Sequence, residues 1–180
     1  MLIYFVRHGE TIANKEGRIQ GQSLDEPLTE AGIWQVENIL PLLPTNFDLL
    51  FSSPLKRAKQ SAEIIAKHTG KEIIFRKEIM EQDFGEFSGK YWTETPFLRR
   101  DLEPFFAYPF ETVGGESLAD FNKRINLFLN YVERVYPDRV ALVMAHGGVI
   151  HSMHCMYPQK EFYEDRNASI HDFNLSQLAR

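Results

Sequence analysis

The chain has 180 residues, 43% of them hydrophobic and 25% charged, which suits one domain with a full apolar core and excludes disordered and fibrous classes. Its 25 acidic and 20 basic side chains leave a formal net charge of -5, a balance that opposes non-specific attraction to nucleic acid or to anionic lipid. The single cysteine, Cys155, excludes an intrachain disulfide and a cysteine-rich zinc site, and fits a reducing compartment. No apolar run approaches the roughly 20 residues that span a bilayer. The apolar start runs directly into Arg7 and His8, unlike a secretory signal. These features predict a cytoplasmic protein with a single domain over residues 1–180.

Met1 to Val6 is a continuous apolar run rich in strand formers and predicts a buried strand ending at Arg7 and His8. From Thr29 to Leu43, the residues Ile33, Val36, Ile39, Leu40 and Leu43 recur at helical spacing, with Thr29 as N-cap and Pro44 as stop. Phe47 to Ser52 is a second buried strand; Pro54 then opens a helix through His68 that Gly70 closes. Glu72 to Arg76 makes a third, short strand. Residues 90–114 have another texture: Trp92, Phe97, Phe105, Phe106, Tyr108 and Phe110 are mixed with Pro96, Pro104 and Pro109, which predicts an inserted cap. Glu116 to Tyr136 is strongly helical, through Leu118, Phe121, Ile125, Phe128, Leu129, Val132 and Val135. Val140 to Ala145 is the next buried strand, followed by His146-Gly147-Gly148 and a helix to Met156, with a last half-buried strand at 168–174. Strands alternating with helices predict an α/β class, a three-layer α/β/α sandwich around a mostly parallel sheet.

In such sheets ligands bind beyond the carboxyl ends of the strands. Arg7-His8-Gly9-Glu10-Thr11 follows the first strand, Ser52-Ser53 and then Arg57 the second, and His146-Gly147-Gly148 the fourth. Each alone has an ordinary reading, as a satisfied histidine or a solvated arginine. Converging from several strands, Arg7, His8, Arg57 and His146 make a compact cationic pocket that suits a small phosphate. With Asn14, Gly21, Asp25 and Pro27-Leu28-Thr29-Glu30-Ala31-Gly32, these segments resemble the motifs of the histidine phosphatase superfamily, also called phosphoglycerate mutase-like. Glu81-Gln82-Asp83-Phe84-Gly85 resembles its acid segment and Gly114-Gly115-Glu116-Ser117 its pre-helix turn. The resemblance covers nearly the whole chain and implies a phosphoglycerate mutase-like sandwich.

It also implies that His8 is the nucleophile that becomes a phosphohistidine, which requires one bare ring nitrogen and a neighbouring acceptor, such as backbone around Gly9, for the other ring proton. Arg7, Arg57 and His146 would stabilise the transferring phosphoryl group. Acting as a cation, His146 would need a raised pKa, which a bound phosphate dianion supplies. Glu81, four residues before Gly85, is the candidate proton donor and water activator; Asp83 is its rival, since strand alternation would put both on one face. Asn14 and backbone at Gly21 and Gly147 are further phosphate contacts, although Asn14 equally fits a local turn or cap. No metal or cofactor is called for. His151, His154 and Cys155 could share a helix face as metal ligands do, but partners at metal spacing are missing from the sequence. Asn167-Ala168-Ser169 is a chance match to a glycosylation acceptor.

The superfamily includes phosphatases and mutases. Between Lys90 and Val113 three basic residues face four acidic ones, without the extra cationic grip that a doubly phosphorylated acid would want. Hydrolysis of a small organic phosphate monoester is therefore preferred over a cofactor-dependent phosphoglycerate mutase-type phosphotransfer. The segments Phe47-Asp48-Leu49-Leu50 and Glu81 to Phe87 are similar to those of α-ribazole phosphatases. A third reading, an inactive member that binds phospho-ligands or a protein, is opposed by the presence of His8, Arg7, Arg57, Glu81 and His146 together. The partner expected is a small-molecule phosphate monoester, with no nucleic acid and no membrane; a homodimer is left open.

Overall fold

The structure, a computed structural model, describes residues 1–95, 108–157 and 166–175. Five strands are formed: β1 (Leu2–Arg7), β2 (Leu49–Ser52), β3 (Ile73–Phe75), β4 (Ala141–Ala145) and β5 (Ile170–Asn174). They lie in one sheet in the order β3-β2-β4-β1-β5. The first four are mutually parallel, and β5 runs antiparallel along β1, which makes the sheet mixed at that edge.

Strand alternation divides the core into two layers. Ile3, Phe5, Phe51, Ala141, Val143 and Ala145 point to one face, where they meet α4 (Leu118–Val135) and α5 (Gly147–Met156). Val6, Leu50, Leu142 and Met144 point to the other, against α2 (Glu30–Ile39) and α3 (Lys56–Thr69). The result is the three-layer sandwich. Phe51 meets Phe128 edge-on at 5.3 Å between centroids and Phe5 meets Phe173 at 5.8 Å, each buried ring contributing roughly 1.5–3 kcal/mol.

Several boundaries differ from the sequence reading for local reasons. α2 stops at Ile39, because Pro41 lacks the donor an α-helix needs and sits instead in a 3-10 turn over Leu40–Leu42. Ile33, expected on its apolar stripe, is 41% exposed, while Val36 is fully buried. α3 begins at Lys56, two residues after Pro54; Leu55 has no capping side chain, and Asp25 Oδ1 from a distant loop accepts the Lys56 N–H at 2.7 Å. A five-residue helix, α1 (Ile12–Glu16), has no hydrophobic period to announce it; a capping box between Thr11 and Asn14 starts it and Gly17, at φ 73°, ends it. In α4 the predicted stripe is buried from Phe121 to Val132, but Val135 is exposed.

Of the cap expected over 90–114, residues 96–107, including Phe97, Phe105 and Phe106, lie outside the described residues. Its described flanks build a small separate core: Ile19, Phe84 and Phe110 are buried, with Phe87, Trp92, Tyr108 and Val113 packed against them. Phe84 and Phe110 are 4.9 Å apart, Phe87 and Tyr108 5.4 Å. These rings pack on one another. No described helix is long and apolar enough to cross a membrane.

Candidate active site

Three adjacent strands end at one place. His8 N–H, just past β1, donates to Ala145 O at 3.1 Å, and Ser53 N–H, just past β2, donates to Met144 O at 3.0 Å. His146 follows β4 as the N-cap of α5. The His8 and His146 rings consequently lie 5.3 Å apart, both buried. His8 Nδ1 is 2.7 Å from Gly9 O. A carbonyl only accepts, so Nδ1 carries the proton and Nε2 is bare. The loop is fixed from outside as well: a Cβ on Gly9 would run into Gly32 O, and a Cβ on Gly32 into Glu10 O. Backbone thus lies directly on backbone at the first turn of α2, where Thr29 N–H also donates to Glu10 O at 2.9 Å. Ser61 Oγ accepts the Gly9 N–H at 3.1 Å and donates to Arg57 O at 2.7 Å, tying the loop to α3.

Arg57 is almost wholly buried. Its Nη2 donates to Gly21 O at 2.8 Å and Asp25 Oδ1 lies 3.8 Å from Nη1; desolvation nonetheless lowers its pKa to about 10. Burial also pushes His8 and His146 well below 6.5, helped by the Arg57 charge. Unliganded, His146 is therefore neutral rather than cationic. Ser53 Oγ holds its Nε2 at 2.8 Å. Among the described residues, His146 Nδ1 and Arg57 Nε are buried with no hydrogen-bond partner, a condition that costs about 1–3 kcal/mol each and that a ligand oxygen would relieve. Arg7, 9% exposed, ends β1 beside them.

Glu81 lies beside this cluster. Its Oε2 accepts the Gly148 N–H at 3.1 Å and its Oε1 the Gln82 N–H at 3.0 Å. Burial raises its pKa, against the opposing pull of Arg57 and these backbone donors. The segment around it is not a strand, so the alternation that made Asp83 a rival does not operate. Asp83 Oδ1 accepts the Gly85 N–H at 3.0 Å as a turn cap.

Asn14 caps its own turn and ties it to a distant loop: its Oδ1 accepts from Thr11 N–H at 3.2 Å and from Asn167 Nδ2 at 3.2 Å, which leaves Nδ2 for a ligand. Gly21, at φ 60°, serves Arg57 through its carbonyl. Gly147 opens α5, and the neighbouring Gly148 supplies the N–H to Glu81. Four supports escaped the sequence reading. Asn167, set aside as a chance sequon, donates to His8 O at 3.1 Å. Ser61 was detectable, four residues after Arg57 on one helix. Ser53 lies within the Ser52-Ser53 motif but has no spacing that marks it, and Arg124, whose Nη2 donates to Glu81 O at 2.9 Å, gives no local signal. The histidines of α5 do other things: His154 Nε2 meets His171 Nδ1 at 3.1 Å and His151 Nε2 meets Cys155 Sγ at 3.6 Å. No described group of three or more metal-ligating side chains exists.

The model of the histidine phosphatase superfamily (branch 1) matches residues 3–179. A putative phosphoserine phosphatase 2 of Hydrogenobacter thermophilus is 31% identical over 160 residues, 86% of this chain and 77% of that protein. The adenosylcobalamin/alpha-ribazole phosphatase of Escherichia coli is 28% identical, over 83% of this chain and 75% of that one. The crystal structure of a phosphoglycerate mutase from Thermus thermophilus superimposes with a TM-score of 0.75 at 29% identity, covering 97% of this chain and 94% of that one. With its fold and nearly its whole length matched, the chain belongs to branch 1 of the histidine phosphatase superfamily.

Proposed function

We propose that this phosphatase hydrolyses a small organic phosphate monoester, without a metal, through a phosphohistidine on His8. The observation that carries the reading is the His8 ring: Nδ1 is tied to Gly9 O at 2.7 Å and burial holds the ring neutral, so Nε2 keeps its lone pair for phosphorus. Nε2 attacks as the bond to the leaving oxygen breaks. Charge on the equatorial oxygens is met by Arg7, Arg57 and His146. His146 takes part as a neutral ring in the tautomer that carries its proton on the unpartnered Nδ1, with Nε2 accepting from Ser53 Oγ at 2.8 Å. Asn14 Nδ2 and the backbone N–H groups of Gly21 and Gly147 complete the cradle.

Glu81 enters protonated, favoured by its raised pKa, and gives its proton to the leaving alkoxide. The carboxylate then takes a proton from water, which attacks the phosphohistidine and restores both groups. The sequence reads as one domain, and the lone Cys155 is in keeping with the cytoplasm. Phosphoserine and α-ribazole phosphate, named for the two relatives, head the substrate panel.

The test is hydrolysis of p-nitrophenyl phosphate and that panel in EDTA by wild type and His8→Ala. Turnover that survives EDTA, falls at least about 10³-fold in the variant, and passes through an acid-labile phosphoenzyme is expected. No turnover and no phosphoenzyme would instead indicate a binding module. Fast exchange of phosphoglycerate isomers with little phosphate release would indicate a mutase.

A further inference from the structure

We propose that Arg124, oriented by Glu116, is a positioning residue for the proton donor Glu81. The inference rests on the reading of Glu81 as the acid. Arg124 lies on α4, and its guanidinium has five N–H donors. All five are engaged. Nε and Nη2 grip the two carboxylate oxygens of Glu116 at 2.7 and 2.8 Å. Nη1 donates to Glu78 O at 2.8 Å and Met80 O at 2.7 Å, and Nη2 donates to Glu81 O at 2.9 Å. Three carbonyls within four residues are thus pinned by one side chain. The pinned stretch needs it: after the short turn Lys77–Ile79, the chain from Met80 to Phe84 belongs to neither strand nor helix.

The grip is reinforced on both sides. Gln22 Nε2 donates to the same Glu81 carbonyl at 2.9 Å, and Gln82 Nε2 donates to Glu116 O at 2.9 Å. Glu116 N–H donates to Asp83 O at 2.8 Å. Arg124 and Glu116 side chains are each 17% exposed, so the pair is sheltered from solvent. With no N–H to offer a ligand, Arg124 works through the backbone of Glu81, whose carboxylate meets Gly148 N–H and faces the Arg57 charge. Lysine cannot copy a bidentate fork that also reaches three carbonyls.

A misplaced acid has a signature that a merely loosened fold lacks. An alkyl phosphate needs its leaving oxygen protonated, whereas p-nitrophenolate leaves with little help. The measurement is kcat/KM, which reports steps through phosphorylation of His8, for phosphoserine and for p-nitrophenyl phosphate. It is made on wild type, Glu81→Gln, Arg124→Lys, Glu116→Gln and the double variant Glu81→Gln/Arg124→Lys.

Arg124→Lys is expected to lower the alkyl-to-aryl ratio by about 10- to 100-fold, the scale of a misplaced general acid. Glu116→Gln should shift it in the same direction, and provides the reading if Arg124→Lys does not fold. On the alkyl ester the double variant should fall little below Glu81→Gln alone. Equal losses on both esters, or additive losses in the double variant, would overturn the proposal. If Glu81→Gln itself leaves the ratio unchanged, the assignment of the acid fails and this inference with it; if Glu81→Gln shifts it and neither clamp variant does, only the clamp is refuted.

Discussion

The proposed nucleophile and the proposed acid stand on unlike supports. His8 follows an interior strand whose backbone is laddered to β4 on one side and β5 on the other, so its position is inherited from main-chain hydrogen bonds. Glu81 follows a 3-10 turn and is steadied by a charged side-chain fork. The two halves share one device, glycine against backbone: Gly9 on Gly32 beside the nucleophile, Gly85 on Gly115 beside the acid. On the proposed roles, the difference teaches that the place of the nucleophile is written into the sheet, while that of the proton donor depends on a few replaceable side chains. Leaving-group preference can then drift without disturbing the phosphate site.

Variants in each half can break or sharpen that contrast. The largest effect is expected from Arg57→Ala, which empties the centre of the phosphate cradle: kcat/KM for alkyl and aryl esters alike should fall by about 10³-fold. A loss confined to the alkyl ester would erase the distinction. Next, Gly32→Ala drives a Cβ into Glu10 O, a backbone atom that cannot move aside; thermal unfolding should show about 3 kcal/mol lost, with both esters falling together. Gly85→Ala combines a φ of 53° with a clash against Val113 O; about 3 kcal/mol should be lost here too, but the alkyl ester should suffer more.

The pH profile separates the halves by sign. His8 must be neutral and its pKa is lowered, so the acid limb of kcat/KM lies below 6.5. Glu81 must be protonated and its pKa is raised, so the alkaline limb belongs to it and should vanish in Glu81→Gln. Stability follows the same linkage. Below 6.5 the unfolded chain takes up protons that buried His8 and His146 refuse, so the melting temperature should drop as pH falls through that range. The smallest effect is expected from Asp83→Asn, which keeps the oxygen that accepts the Gly85 N–H: within about 0.5 kcal/mol of wild-type stability and an unaltered alkyl-to-aryl ratio.

What is legible in the sequence is what short-range pattern encodes. β1 and β4 are dense apolar runs, α4 carries its buried stripe at regular spacing, and the chemistry-bearing residues stand at strand ends where an α/β sheet puts ligands. The end of α2 is legible too, in Pro41 rather than Pro44. The supports are not, because they cross long separations: Asp25 reaches 31 residues to cap α3, Arg124 reaches 43 to Glu81, and Asn167 reaches 159 to His8. No local spacing encodes such pairs. The charge of His146 is not legible for a related reason, since it depends on burial and on Arg57, which only the packed fold reveals.

The placement of β1 also bears on when the protein becomes an enzyme. Ile3 pairs with Ala141 on one side and Phe173 on the other, so β1 closes the longest loops in the molecule, and such closures are slow. While the chain is being made, residues 49–52 and 73–75 can lie side by side early, whereas Leu2 to Val6 must wait. A nascent chain ending at residue 140 already contains His8, Arg57 and Glu81, yet lacks both strands that aim the nucleophile. Placement of the proposed nucleophile therefore waits on strands that are made after all three of these side chains.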